Sequence, residues 1–153
     1  AGSKREIKYD VVKIMISEVN SGIFSINNWT SYANRCEIHK NTLRKMIEKC
    51  KNDGENIIIY GASGKGQSLI QMSGITKDLI SGVVDKSKMK QGKITPGSHI
   101  KIYPTEFIYE GKANVILLCA WNIAKEIVSQ EKRFVELGGK FLLPFPEPHF
   151  YNK

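Results

Sequence analysis

The unbroken apolar runs along the chain predict strands that are buried on both faces. Three isoleucines stand together in residues 56–60, and Val-Ile-Leu-Leu-Cys fills residues 115–119. β-branched residues without polar interruption are typical of strands covered on both sides of a parallel sheet. Shorter apolar runs predict three more strands, at residues 79–85, 100–103 and 140–143.

Apolar residues at helical spacing predict two helices ahead of the first strand. Residues 4–20 favour helix, although their periodicity is also compatible with a strand. Residues 30–52 carry an apolar stripe, Gly22 and the Asn27-Asn28 pair separate the two segments, and Gly54 ends the second. The stripe consists of Leu43, Met46, Ile47 and Cys50.

Helical segments also follow the predicted strands. Residues 65–72 predict a helix closed by Gly74, and Thr105 is a candidate cap for a short helix that starts near Pro104. The last helix should run from about residue 122 to the Gly138-Gly139 pair. Its inward residues should be Ile123, Ile127, Phe134 and Val135.

Alternation of strands and helices predicts the α/β class, with a doubly wound, mainly parallel sheet of about five strands. Residues 1–53 form a helical lead-in in this interpretation, and residues 54–153 form the sheet domain. Pro144, Pro146 and Pro148 follow the fifth strand, and such a segment is neither helix nor central strand.

The amino-acid composition indicates where the protein acts and which kinds of partner it binds. With 23 basic and 15 acidic residues the net charge is +8, which favours anionic partners. The basic residues lack the interleaved aromatics of nucleic-acid modules, so we expect no nucleic acid. Neither a membrane span nor a signal peptide is visible, and three separated cysteines indicate neither disulfides nor a metal site, so a cytoplasmic location is expected.

The glycine-rich stretch after the first strand is the strongest candidate site. It reads Tyr60, Gly61, Ala62, Ser63, Gly64, Lys65, Gly66. Glycines there permit a sharp turn, and free N–H groups at the start of a helix attract anions. The spacing is Gly-x-x-Gly-x-Gly rather than Gly-x-Gly-x-x-Gly, and no Ser or Thr follows the lysine as in a Walker loop. The motif therefore predicts a turn that binds a phosphate group, but it does not identify the ligand that carries the phosphate.

Other candidates should share the edge of the sheet where parallel strands end. Asp85 lies about 20 residues beyond the turn, where dinucleotide folds place an acid on a ribose hydroxyl, or it merely ends a strand. Trp121 could stack on a base, or it could pack in the core. Asn122 could bind a ligand or cap a helix. Glu147 could act on a ligand or lie in a surface turn. Lys65 could pair with a phosphate or be solvated. No catalytic constellation or metal-ligand spacing is visible.

Several ordered motifs together resemble the C-terminal domain of sugar C-methyltransferases that use S-adenosylmethionine. The resemblance runs from about residue 9 to residue 149, with glutamine at position 67 where the family has asparagine. The motifs are Tyr60-Gly61-Ala62-Ser63 with Lys65-Gly66, Gly74-Ile75-Thr76-Lys77-Asp78, Val84-Asp85, Lys90-Gln91-Gly92, Pro96-Gly97 with His99-Ile100, Ala120-Trp121-Asn122, and Pro144 with Pro146-Glu147-Pro148.

The resemblance implies a Rossmann-like domain that helps to enclose a nucleotide-linked keto-deoxysugar. In that family an N-terminal zinc segment and a central methyltransferase domain, which holds S-adenosylmethionine and the catalytic base, precede this domain. We therefore expect the upstream domain as a partner, no cofactor on this chain, and no catalysis by it alone. Two other interpretations stay open: an independent NAD(P)-type redox or regulatory domain, and a structural domain with an empty glycine turn.

Overall fold

The computed structural model describes residues 8–110 and 113–151. One compact unit ends at Ile38, and a second begins at His39. The first contains α1 (Tyr9–Asn20) and the N-terminal part of α2 (Ile26–Asn52). The second contains the rest of α2 and, in chain order, β1 (Ile57–Tyr60), α3 (Gly64–Met72), β2 (Gly82–Val84), β3 (Ile102–Tyr103), α4 (Phe107–Glu110), β4 (Val115–Leu118), a 3-10 turn (Trp121–Ile123), α5 (Ala124–Gln130), α6 (Lys132–Glu136), β5 (Lys140–Leu143) and β6 (His149–Phe150).

The predicted N-terminal helix is confirmed as α1, and residues 4–7 lie outside the described residues. The prediction that Asn27 and Asn28 separate the two helices is wrong, because α2 already begins at Ile26. Asn28 instead donates its side-chain amide to the carbonyl oxygens of Ser21 and Gly22, at 3.3 and 3.2 Å. It stabilises the turn from inside the helix.

In the described ranges no helix has both the length and the apolar content to cross a bilayer.

The sheet has six strands in the order β3-β2-β1-β4-β5-β6. Neighbouring pairs from β3 to β5 are parallel, and β6 pairs antiparallel with β5 at the edge. The fold is thus mixed α/β with a mostly parallel sheet, and the predicted count of five strands misses β6. Two residues directly after Pro148 are too few to show the alternation that marks a strand.

Two predicted strands are longer than the observed ones. β2 covers Gly82–Val84 within predicted residues 79–85, and β3 covers Ile102–Tyr103 within 100–103. Ile80 and Ile100 are each 3% exposed, although both lie outside the strands. Apolar side chains therefore continue into the core beyond the ends of the hydrogen-bonded ladder.

Alternate residues of β1 supply two separate cores. Ile57 and Ile59 share one with α2 and α3, whereas Ile58 and Tyr60 share the other with α4, α5 and α6. Helices thus cover both faces of the sheet, which explains the unbroken apolar runs. The helical side chains of the first core include Leu43, Ile47, Cys50, Leu69 and Ile70, and those of the second include Ile108, Ala124, Ile127, Val128 and Phe134.

The single helix predicted after β4 is interrupted. A 3-10 turn leads into α5, and the chain breaks at Glu131 (φ −97°, ψ 35°) before α6. Ile127 and Phe134 are buried as predicted, but Ile123 is 45% exposed and Val135 is only half-buried. The interruption shifts the helical register, so one continuous stripe does not describe both helices.

Gly66 allows α3 to lie against the end of β4. A Cβ atom at this position would lie 2.7 Å from the Cβ of Cys119 and 3.2 Å from the Oγ of Ser63. At Gly64, two residues earlier in the same helix, a Cβ would meet no atom within 4 Å. The absence of a side chain therefore matters differently at the two positions. Packing against Cys119 requires glycine at position 66, whereas the Cβ position of Gly64 is open space.

This difference predicts the effect of adding one methyl group at each position. We expect Gly66→Ala to lower the free energy of unfolding by about 1–3 kcal/mol, because the methyl group overpacks the contact with Cys119. Gly64→Ala is the matched control and should leave stability unchanged or raise it by up to about 1 kcal/mol. Urea denaturation of both variants measures the difference. Equal stability of the two would contradict this account of the α3–β4 contact.

Candidate functional site

The parallel strands of the second unit end at one edge of the sheet, and the candidate residues follow three of them. The glycine turn follows β1, Asp85 follows β2, Trp121 follows β4, and Phe145 follows β5. The helix after β1 packs on one face of the sheet and the helix after β4 on the other. The two connections therefore diverge between β1 and β4, which is where ligands bind in open α/β sheets.

The glycine turn leaves helix-start N–H groups available. Gly61 adopts a φ of +99° and donates its N–H to the carbonyl oxygen of Val84 at 2.8 Å. Ser63 caps α3, since its Oγ accepts the N–H of Gly66 at 3.0 Å. No described residue accepts a hydrogen bond from the N–H of Gly64 or Lys65. Together with the open space at Gly64, these groups form a place for an anion.

Asp85 ties the glycine turn to the loop after β2. Its Oδ2 accepts the N–H of Ala62 at 2.8 Å and the Nζ of Lys90 at 3.1 Å, and its Oδ1 accepts the N–H of Ser87 at 2.8 Å. Burial by itself would raise the pKa of Asp85, but the bonds from Ser87, Lys90 and Ala62 outweigh it and hold that pKa below its usual value. The carboxylate is therefore charged and already engaged within the chain.

Three aromatic rings, those of Trp121, Phe145 and His39, lie in contact near the C-terminal end of β5. The Trp121 and Phe145 ring centroids lie 4.7 Å apart, and Phe145 stacks on His39 at 4.6 Å with 21° between the ring planes. Burial lowers the pKa of His39, and the charge of Glu147 opposes that shift. The sequence pointed to Trp121 but not to Phe145 or His39. Only the fold brings the residue after Pro144 next to a residue of α2.

The remaining predicted residues are placed in different ways. Lys65, Asn122 and Glu147 are exposed, and Asn122 lies inside the 3-10 turn, where it does not occupy an N-cap position. Tyr60 is buried in the second core, and its hydroxyl lies 3.4 Å from the Oε1 of Glu131. The side chain of Tyr60 therefore packs in the core and stabilises the sheet.

Comparison with known proteins identifies the kind of domain that carries this edge. The model of the C-methyltransferase C-terminal domain family matches residues 1–146. The chain belongs to this family. It is also 34% identical over 148 residues to the C-methyltransferase NovU of Streptomyces niveus, a match that covers 97% of the chain and 35% of NovU. The chain thus spans about a third of that relative's length, and the resemblance found in the sequence is confirmed.

Gln67 is a feature of this C-methyltransferase C-terminal domain that its sequence did not mark as a site. Its side chain is 9% exposed, and its Oε1 lies 3.3 Å from the Ser98 Oγ. Ser98 in turn contacts the Thr95 Oγ1 at 2.7 Å, and Thr95 accepts the N–H of Ile100. Since these contacts occupy the amide oxygen, the buried Nε2 of Gln67 is a donor without a described partner.

The same C-terminal domain offers little to nucleophilic or metal chemistry at its edge. Burial raises the pKa of the Cys119 thiol to about 12, so this cysteine stays protonated and unreactive. No cluster of three or more His, Cys, Asp or Glu side chains in residues 8–110 and 113–151 is arranged to hold a metal ion. What the edge presents is backbone N–H groups and aromatic surface, which are means of binding.

The network around Asp85 predicts a pH-dependent contribution to stability. Because its pKa is lowered by folding, the carboxylate stabilises the fold above the unfolded pKa of about 3.9, and this contribution is lost as pH falls through the lower folded pKa. We expect Asp85→Asn to cost about 1–2 kcal/mol at pH 7. The deficit relative to the parent chain should shrink on acidification below pH 4.

Thermal or urea unfolding between pH 2.5 and 7 checks this prediction. Asp78→Asn is the control, because Asp78 is exposed and its bond to the Thr76 hydroxyl is 3.5 Å long. It should show almost no deficit at any pH. A deficit for Asp85→Asn that stays constant down to pH 2.5 would show that the charge of the carboxylate is not what stabilises the turn.

Proposed function

We propose that this chain is the substrate-side domain of an S-adenosylmethionine-dependent methyltransferase that acts on a carbon of a nucleotide-linked keto-deoxysugar. The observation that carries the proposal is the pair of unused N–H groups at Gly64 and Lys65, with open space at the Cβ position of Gly64, at the divergence of β1 and β4. The diphosphate of a nucleotide-sugar is the anion that we place there. Membership of the C-methyltransferase C-terminal domain family supports the reaction class.

The electrostatics of the edge favour a diphosphate. The N-terminus of a helix carries a partial positive charge, and an anion placed there is stabilised by both the dipole and direct N–H bonds. Lys65 is exposed beside these groups, and the chain has a net charge of +8. Trp121 with Phe145 offers an aromatic surface for a base or a sugar ring.

Methylation at carbon requires removal of a proton next to the keto group and stabilisation of the enolate that results. S-adenosylmethionine supplies the methyl group when it is bound, and we place that cofactor and the catalytic base in the upstream part of the enzyme. The residues of this chain bind and orient the substrate in this proposal. Isolated from the upstream part, the chain is expected to bind without catalysing.

The organisation of the chain supports the same assignment. The strand order with helices on both faces agrees with a Rossmann-like domain over residues 54–153, and residues 1–53 form the lead-in, whose end packs into the core through Leu43 and Ile47. The thiols of Cys36, Cys50 and Cys119 are free. Free thiols agree with a reducing, cytoplasmic location.

An NAD(P)-type domain is the main alternative, and two observations weigh against it. The glycines lack the dinucleotide spacing, and Asp85, which would hold a ribose hydroxyl, already accepts hydrogen bonds from Ala62, Ser87 and Lys90. A purely structural domain would not need the open space at Gly64.

The open space at Gly64 gives a direct test of the phosphate site. We expect Gly64→Val to fold normally, because a Cβ there meets no atom within 4 Å, and to raise the Kd for nucleoside diphosphates at least tenfold by filling the anion's place. Lys65→Ala should weaken binding less and reduce its salt dependence, because it removes only a screened charge. Calorimetry with thymidine, uridine, guanosine and cytidine diphosphate measures both effects. Unchanged affinity in a folded Gly64→Val chain would refute the site.

Asn122 tests whether the turn after β4 contacts the substrate. Since Asn122 is exposed and caps no helix, we expect both Asn122→Ala and Asn122→Asp to keep the melting temperature. In the full-length enzyme Asn122→Asp should raise the KM for the nucleotide-sugar several-fold, because the added charge repels a diphosphate. Asn122→Ala, the uncharged control, should have a smaller effect. Identical kinetics for both variants and the parent would remove this turn from the site.

A further inference from the structure

Helix α1 has an apolar side that is left uncovered. At 100° per residue, six side chains form one continuous face. Asp10, Lys13 and Ser17 lie on the other side, together with one apolar residue, Ile14. None of the residues of α1 is buried, and the six apolar side chains are between 39% and 72% exposed. They are Tyr9, Val11, Val12, Met15, Ile16 and Val19.

Exposed apolar residues are concentrated in this part of the chain. Of the eighteen large hydrophobic residues that are exposed among the described residues, thirteen lie before His39. Phe24 is 84% exposed, and Trp29 and Tyr32, on the first turns of α2, are 52% and 53% exposed. Exposed aromatic residues that make an edge-to-face pair, as Trp29 and Tyr32 do, are typical of the centres of protein interfaces.

A helix of this kind needs a partner. Isolated helices of about 12 residues are marginal in water, and α1 has exactly such a length, Tyr9–Asn20, with no side-chain cap at its start. An amphipathic helix gains most of its stability from burial of its apolar face. The apolar face of α1 would therefore gain stability by burial against a partner.

We propose that the apolar face of α1 docks on the upstream methyltransferase part of the same enzyme, an inference that rests on the proposed place of this chain in a larger protein. The family description puts the domain at the C-terminal end of C-methyltransferases, and the chain covers only 35% of NovU. The rest of such an enzyme is attached on the α1 side. A tethered partner has an effective concentration in the millimolar range, which a separate molecule does not reach.

The charges of α1 argue against a membrane as the occupant. Helices that lie on membranes carry Lys and Arg along the polar side, whereas α1 has one basic residue, Lys13, and two acidic residues, Asp10 and Glu18. A second copy of the chain would also bury the apolar face, but it would do so in proportion to protein concentration. The test below separates these occupants.

Hydrogen–deuterium exchange of the backbone amides of Tyr9–Asn20, in the full-length enzyme and in the 153-residue chain, tests the proposal. We expect exchange at least tenfold slower in the full-length enzyme, at a rate independent of protein concentration. Ile16→Asp should restore fast exchange there, because it places a charge in the docked face. Ser17→Asp, which adds the same charge on the polar side one residue away, should leave the protection intact.

Three results would overturn the docking. The first is equal exchange of α1 in the two proteins, and the second is protection that survives Ile16→Asp. The third is protection that rises with protein concentration or with added phosphatidylglycerol vesicles, which would assign the face to a second copy or to a membrane. Should Ile16→Asp reduce expression of the full-length enzyme, the milder Met15→Ser serves with Ser17→Asp as its control. Loss of nucleotide binding at Gly64 would leave the exchange of α1 unchanged, so failure of the proposed function is recognisable separately.

Discussion

Burial of β1 on both faces is the constraint on which the rest of the second unit depends. Every residue of this strand is at most 3% exposed, and the strand pairs with β2 on one side and β4 on the other. Because successive side chains point to opposite faces, four consecutive apolar residues require helices above and below. The connections after β1 and β4 then separate to the two faces, and their divergence is a consequence of the core.

The sequence predicted the parts of the fold that depend on local patterns. Consecutive apolar residues located all five parallel strands, and Gly61 to Gly66 located the turn. Features that arise from tertiary contacts could not be predicted: the edge strand β6, the break at Glu131, the three bonds to Asp85, and the buried amide of Gln67. Each of these depends on a residue distant in sequence or on a segment too short to show a period.

Under the proposed function, the candidate site serves to bind the substrate, and catalysis belongs to another part of the enzyme. The edge of the sheet offers donors for an anion and aromatic surface, and the only buried thiol there, Cys119, is held protonated by burial. Binding without catalysis fits a domain that presents a substrate to a separate catalytic part. Such a division requires the two parts to keep a fixed relation, and the proposed docking of the apolar face of α1 would provide it.

The most direct test of the account is calorimetric titration of the 153-residue chain with three ligands: a panel of nucleotide-sugars, S-adenosylmethionine and NADH. Binding at helix-start N–H groups does not need the catalytic part, so the account predicts saturable binding of at least one nucleotide-sugar. It predicts no saturable binding of S-adenosylmethionine or NADH. Saturable micromolar binding of either, with none for any nucleotide-sugar, would contradict the assignment of this domain to the substrate.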